Sequence, residues 1–307
     1  MIVRRRFYQF IRLGRPLFLV GAIVLHLLGV VMALYRGADL NLPAFVWGQI
    51  AITAIQWMTH YSNDYFDQTA DRANTTPTHW SGGSRVLVEG GLPPQVALIT
   101  ALTLAGIAAA SALILALIVQ TGAFTLPLLL TALCLAWFYS APPLRLHSRG
   151  LGEITTTLLV PGLVPLTGFY LQSGRLELFP VLLVLPLMGL QFCMMLTIEL
   201  PDAAGDADTG KRTQIVRHGA VWARHWHNIV LIMSYLSLPL LTLVGMPPLV
   251  ALLAGCTLPL AMWRIWLGHG DHPEYWNQMG FISVALLIGT AALEMVGLMV
   301  LILLRFS

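Results

Sequence analysis

Few charges punctuate this sequence: Asp, Glu, Lys and Arg make up 10% of its 307 residues, whereas 57% are hydrophobic. A soluble domain carries roughly 25% charged residues. With a mean hydropathy of +0.76, the chain has lipid rather than water as its main solvent. Cysteine is scarce too. Cys134, Cys193 and Cys256 fall inside apolar stretches without C-x-x-C spacing, which excludes a disulfide framework or a zinc site and predicts three small buried hydrophobes. There is no basic tail or low-complexity segment, and the net charge is only +3, so no nucleic-acid partner is expected. G-x-x-x-x-G-K-[ST] is absent, which excludes a Walker-type loop.

What the chain has in abundance is long apolar runs, and about 20 such residues cross a hydrocarbon core about 30 Å thick. Proline, glycine and charge divide them into nine predicted spans: 17–35, 43–62, 95–119, 123–140, 153–172, 179–199, 226–245, 248–267 and 279–304. The expected fold is all-α, a polytopic bundle of about nine transmembrane helices in a single domain over 1–307. Arg4-Arg5-Arg6 before an apolar run resembles a signal peptide. Residues 17–35 are long for one and lack a small-x-small cleavage site, so a retained first span is expected. Lys and Arg set the orientation. With the N-terminus cytoplasmic, that side collects Arg4, Arg5, Arg6, Arg12, Arg15, Arg72, Arg85, Arg145, Arg149, Lys211, Arg212, Arg217, Arg224 and Arg264, which is 14 of the 17. Arg36, Arg175 and Arg305 remain for the other side. The expected location is a bacterial cell membrane, with polar loops cytoplasmic and the C-terminus opposite.

Seven of the 14 acids fall in two windows at span ends: Asp64, Asp67 and Asp71 in one, Glu199, Asp202, Asp206 and Asp208 in the other. At about 100° per residue, Asp64, Asp67 and Asp71 lie within about 60° of one another on a helix. Three carboxylates on one stripe at a membrane boundary demand a counter-ion. Asp202 and Asp206 are one turn apart if the helix persists, but Pro201 and Gly205 favour a broken segment equally. The placement of the two windows suggests a four-helix unit used twice, with one helix added. Oxygen-only ligands favour a hard cation, Mg²⁺, which takes one or two carboxylates and shares its shell with water and substrate phosphate.

Cations and glycines accompany the acids. Gly210-Lys211-Arg212-Thr213 and Arg217 follow the second window; Arg72 and Ser81-Gly82-Gly83-Ser84-Arg85 follow the first. This composition suits a phosphate cradle. A third cytoplasmic segment, Tyr139–Glu153, carries Arg145 and reads as a turn or a pocket wall. His225 and His227 point to different helix faces, which disfavours a metal there, and Glu294 stands alone inside the last span.

The motifs N-D-x-x-D-x-x-x-D at 63–71 and D-x-x-x-D-x-x-x-G-K-x-T at 202–213 resemble those of the UbiA superfamily of intramembrane aromatic prenyltransferases. The resemblance implies that Asn63, Asp64, Asp67, Asp71, Asp202 and Asp206 bind Mg²⁺ and a polyprenyl diphosphate, assisted by Lys211, Arg72, Arg85, Arg145 and Arg217. Diphosphate would depart to leave an allylic cation, which an electron-rich ring attacks. Asp67, Asp71, Asp202, Asp206 and Tyr139 would be the catalytic group, with Tyr139, Tyr65 and Phe66 as an aromatic wall and Arg15 meeting an acceptor carboxylate. Y-S-x-P-P-L-R…R-G-L-G-E and G-K-x-T-x-x-V-R-x-G look most like the branch acting on 1,4-dihydroxy-2-naphthoate in menaquinone synthesis. The chain departs from that branch at Glu199-Leu200-Pro201. Other expected acceptors are 4-hydroxybenzoate, homogentisate, chlorophyllide or haem; the rival class is a cation-coupled transporter.

Overall fold

Proline in the first turn opens several of the long apolar helices. The structure, a computed structural model, describes residues 2–268 and 272–305. A basic helix α1 (Ile2–Leu13) precedes α2 (Pro16–Tyr35), whose first-turn proline forfeits an N–H that has no intrahelical partner anyway. Asn41 caps α3 (Leu42–Phe66), its side chain accepting from the Ala44 amide at 3.0 Å. There follow α4 (Gln68–Ala73), α5 (Pro94–Leu117), α6 (Thr125–Ser140), α7 (Gly152–Thr157) and α8 (Val164–Ser173). The second half comprises α9 (Leu178–Ile198), α10 (Ala203–Asp208), α11 (Gln214–Thr242), α12 (Pro248–Gly255), α13 (Leu258–Trp266) and α14 (Trp276–Leu303).

Among the described residues, and setting aside α1, α4 and α10, these make nine rods, counting α7 with α8 and α12 with α13 as one each. Six are long and apolar enough to cross a membrane by length and composition alone; α6 is apolar but shorter, and α3 and α11 carry polar ends. Several boundaries differ from expectation. The fifth span passes through a π-turn at Leu158–Leu163, where Pro161 removes a ladder donor. The seventh rod starts at Gln214, well before residue 226, and is kinked at Gly219 (φ 84°). The eighth breaks at Cys256–Thr257. Only Cys193 is buried; Cys134 and Cys256 are exposed, contrary to expectation, because a thiol facing lipid costs no more than one in the core.

One core gathers α2, α8, α9 and α11 to α14, and another gathers α3, α5 and α6, with Leu13 and Leu171 packed into it. Outward positions such as Leu243 and Ile118 remain apolar, as a lipid-facing surface requires. Each half repeats one local device: a long helix (α3, α9), a break, then a six-residue helix (α4, α10). Arg36, beside Glu177 at 2.9 Å, and Arg305, donating to Tyr35 O at 2.7 Å, meet at the end opposite these short helices.

Candidate active site

The first acid segment is not one continuous helix. Backbone bonding persists, with Asp67 N–H to Asn63 O and Asp71 N–H to Asp67 O both at 2.9 Å. The chain nevertheless bends at Asp67, which leaves α3 and opens α4. The expected stripe is therefore divided. Asp64 turns to Arg15 and Ser84, while Asp67 turns across the site.

In the second segment, Pro201 has no N–H to continue α9, so the chain takes a 3₁₀ turn over Leu200–Asp202 before α10. This short helix packs directly on α4. A Cβ at Gly205 would stand 2.8 Å from the Asn74 amide nitrogen, so only glycine permits the approach. Asn74 Nδ2 donates to Asp202 Oδ1 at 2.6 Å, and the Thr76 hydroxyl donates to Pro201 O at 3.1 Å. Lys211 Nζ then joins the halves, 3.2 Å from Asp67 Oδ2 and 3.1 Å from Asp206 Oδ1. Asn63 Nδ2 supports the same Asp67 oxygen at 2.6 Å and reaches Ser140 Oγ at 2.9 Å.

The loop at 81–85 clasps the first segment. Gly83 has φ +70°, and a Cβ there would lie 2.1 Å from Asp71 Oδ2. Ser84 donates its amide to Asp64 Oδ2 at 3.1 Å and its hydroxyl to the same carboxylate, while Arg85 donates to the Asp71 carbonyl. The expected phosphate cradle thus spends its Ser84 amide on a carboxylate. Arg72 and Arg145 are exposed and take no part in the cluster. Arg217 is a loop clamp: its Nε donates to Arg212 O at 2.9 Å and its Nη2 to Arg149 O at 2.6 Å. Arg15 is ion-paired to Asp64 at the cavity mouth.

Charge follows the pairing. Burial alone would push the Asp67 carboxyl up, but Lys211 and the hydrogen bond from Asn63 hold it below the usual range. Asp71 has less help: burial, then Asp64, push it up to about 8 against the pull of Arg15. Lys211 keeps its proton more tightly than a free lysine, because Asp67 and Asp206 outweigh its burial. His147 is pushed down to about 3 by burial and by Lys211, so its ring is neutral.

Below the acids lies a cavity of about 660 Å³ among α2, α3, α6, α9, α14 and the π-turn, with Arg15, Asn63, Tyr139 and Trp80 on its wall. Tyr139 stacks on His147 with ring centres 4.9 Å apart, and its hydroxyl is 3.1 Å from Nδ1. Tyr65 and Phe66 do not form the expected wall. They pack edge-to-face on each other, and Phe66 on Trp137, because the helix turns them away when Asp64 and Asn63 face inward. Sequence reasoning missed Asn74 and Trp80, whose indole donates to Asn277 O at 3.0 Å, because neither has a local partner that announces it. Glu153 and Glu199 are buried behind Tyr139, and Gln214 N–H donates to Glu153 Oε1 at 2.7 Å.

The five aspartates of the expected metal set do not close on one point. Among the described residues no three His, Cys, Asp or Glu side chains form a metal cage, because Arg15, Lys211 and Asn74 stand between the carboxylates. The donor set nevertheless fits Mg²⁺, which needs only one or two carboxylates beside water and phosphate. The donors are all oxygen, and Asp206 Oδ2 is buried without a partner.

A membrane bundle whose polar site caps an apolar cavity is the class that fold and site define. The chain belongs to the UbiA prenyltransferase family, whose sequence model matches residues 22–287. It is 25% identical over 209 residues to 1,4-dihydroxy-2-naphthoate octaprenyltransferase of Bacillus subtilis (strain 168), a match covering 68% of this chain and 65% of that protein. The match thus spans slightly less than two thirds of the relative. Among solved structures, a UbiA homologue from Aeropyrum pernix K1 superposes with a TM-score of 0.68 at 18% identity, covering 91% of this chain and 97% of that one. A homologue from Archaeoglobus fulgidus, solved bound to DMAPP and Mg²⁺, gives 0.64 at 16% identity, covering 93% and 98%. At these identities the structural likeness is one of fold.

Proposed function

We propose that the chain transfers a prenyl group from an allylic polyprenyl diphosphate to an aromatic acceptor, 1,4-dihydroxy-2-naphthoate in menaquinone synthesis being the best candidate. One observation carries the reading: Lys211 bridges Asp67 and Asp206, joining the two acid segments, and Asn63, which lines the apolar cavity, is hydrogen-bonded to that same Asp67. A diphosphate head suits the mouth and a prenyl tail suits the cavity. The acceptor rests on the Bacillus relative and on the Tyr139–Glu153 and Gly210–Gly219 segments.

Asp64, Asp67, Asp71, Asp202 and Asp206 would hold Mg²⁺, which when bound neutralises charge on the departing diphosphate. Lys211 keeps a full positive charge beside that group, and Arg15 and Arg85 stand ready at the rim. Asn63 fixes the Asp67 carboxylate that Lys211 needs. The Tyr139 ring, buried on the cavity wall, offers a π-face to an allylic cation, and the apolar lining keeps water from quenching it. The active site and N-terminus face the cytoplasm on this reading, and the C-terminus lies opposite.

The test incubates purified protein in lipid with Mg²⁺, labelled prenyl diphosphate and a panel of acceptors including the naphthoate, 4-hydroxybenzoate and homogentisate. Prenylated naphthoate is expected. Product from another acceptor would correct the substrate, and no product from any would refute prenyl transfer.

A further inference from the structure

Most of the cavity wall below Asn63 is apolar, and its few polar side chains are unequally satisfied. Thr59 Oγ1 donates to Ile55 O at 2.8 Å and Thr156 Oγ1 to Gly152 O at 3.1 Å, so both hydroxyls are spent on their own helices. Gln56, His60 and Gln191 differ. Gln56 Nε2 donates to Phe18 O at 2.8 Å, which orients the amide and leaves Oε1 with no partner. His60 Nε2 and Gln191 Oε1 also have none. All three residues line the same cavity, two from α3 and one from α9. Enclosed polar atoms are nearly always hydrogen-bonded; these three, closed off as the side chains stand but carried by residues that line one cavity, gain partners when the side chains turn towards a ligand's polar groups.

Their chemistry restricts the ligand. An amide oxygen can only accept, so Gln56 Oε1 and Gln191 Oε1 call for donors. A prenyl chain has nothing to offer them. An ether, a ketone or a carboxylate would set oxygen against oxygen, whereas a phenolic hydroxyl answers directly. Depth agrees: His60 and Gln56 follow Asp64 down α3 by one and two turns, about 6 and 12 Å. That is too deep for a diphosphate held at the acids and suits a ring beside its first prenyl carbon.

We infer that Gln56, His60 and Gln191 form a hydroxyl-reading acceptor site, which admits a phenol or hydroquinol and rejects its methyl ether or its oxidised quinone. This rests on the prenyl-transfer reading. A site built to bond a hydroxyl discriminates strongly against the analogue without it.

The test uses full-length protein in lipid with Mg²⁺ and prenyl diphosphate, and compares the preferred acceptor with its mono-O-methyl ethers. The ethers keep the ring electron-rich but cannot ionise to a phenolate, so binding is read from each ether's competition against the hydroxyl acceptor, beside its turnover. For the wild type, kcat/KM is expected to fall at least about tenfold for an ether, and the quinone is expected not to compete. Gln56→Met and Gln191→Met should each raise the acceptor KM about tenfold, leave the prenyl diphosphate KM unchanged and narrow the gap between hydroxyl and ether. Unchanged Mg²⁺-dependent binding of prenyl diphosphate certifies folding; if a variant fails it, the wild-type ether comparison decides. Equal use of ether and hydroxyl by the wild type, or variants that move both KM values together, would overturn the inference while leaving prenyl transfer intact. Absence of turnover with every aromatic acceptor would overturn both.

Discussion

Replacing Lys211 by methionine should destabilise the metal-free protein and make its stability depend on Mg²⁺. The residue is 9% exposed, and its ammonium lies 3.1 and 3.2 Å from carboxylates of opposite halves. Methionine keeps the stem's volume, so packing changes little while two buried carboxylates lose their counter-charge. Removing one partner of a buried ion pair costs about 3–5 kcal/mol, since the remaining charge stays desolvated. Part of the loss should return on adding Mg²⁺, which can take the vacated oxygens. A ligand at 100 times its Kd stabilises by about 2.7 kcal/mol. The assay is denaturant unfolding in micelles for parent and Lys211→Met, with EDTA and with Mg²⁺. A gap of about 3–5 kcal/mol is expected in EDTA, narrowing in Mg²⁺. Equal stabilities in EDTA, or a gap that Mg²⁺ leaves unchanged, would refute the view that Lys211 holds the two segments together by charge.

Other consequences follow from the same geometry. Asp67→Ala or Asp202→Ala should abolish product formation while the protein still inserts and folds, measured by labelled-substrate turnover beside monodisperse elution; near-normal turnover with Mg²⁺ supplied would contradict the two-segment site. Asp71, pushed up to about 8, is protonated at pH 7 in the metal-free protein, so Mg²⁺ binding there should release up to one proton. The release should fade as pH rises above about 8, where the proton has already left, and calorimetry in buffers of different ionisation enthalpy would detect it. Without metal, this carboxyl favours folding below its ordinary pKa, and the contribution is lost as pH climbs towards 8. Gly83→Ala places a methyl against the Asp71 carboxylate in a left-handed conformation, costing about 1–2 kcal/mol of backbone strain. It should weaken Mg²⁺ binding more than it lowers the unfolding midpoint; unaltered Mg²⁺ affinity would show that the loop does not set Asp71.

The apolar run lengths and the segregation of Lys and Arg were enough to determine a nine-rod bundle and the end at which its polar loops gather. Both depend on transfer of local segments into lipid, which each segment decides with little reference to the others. The acid-rich windows were equally legible, because carboxylates at a membrane boundary need compensation wherever the rest of the chain lies. Partner choice was not local. Lys211 meets Asp67 across 144 residues of chain, and Asn74 meets Asp202 across 128. Arg217, in the first turn of α11, carries the same charge as Lys211 just before that helix, yet folding spends it on two backbone carbonyls. Tyr65 and Phe66 shared a motif with the acids but pack on each other, and Phe66 on Trp137, since helix rotation separates neighbours in sequence. Only tertiary packing, through the contact of α4 with α10 that Gly205 permits, decided which charges meet and which stay in solvent.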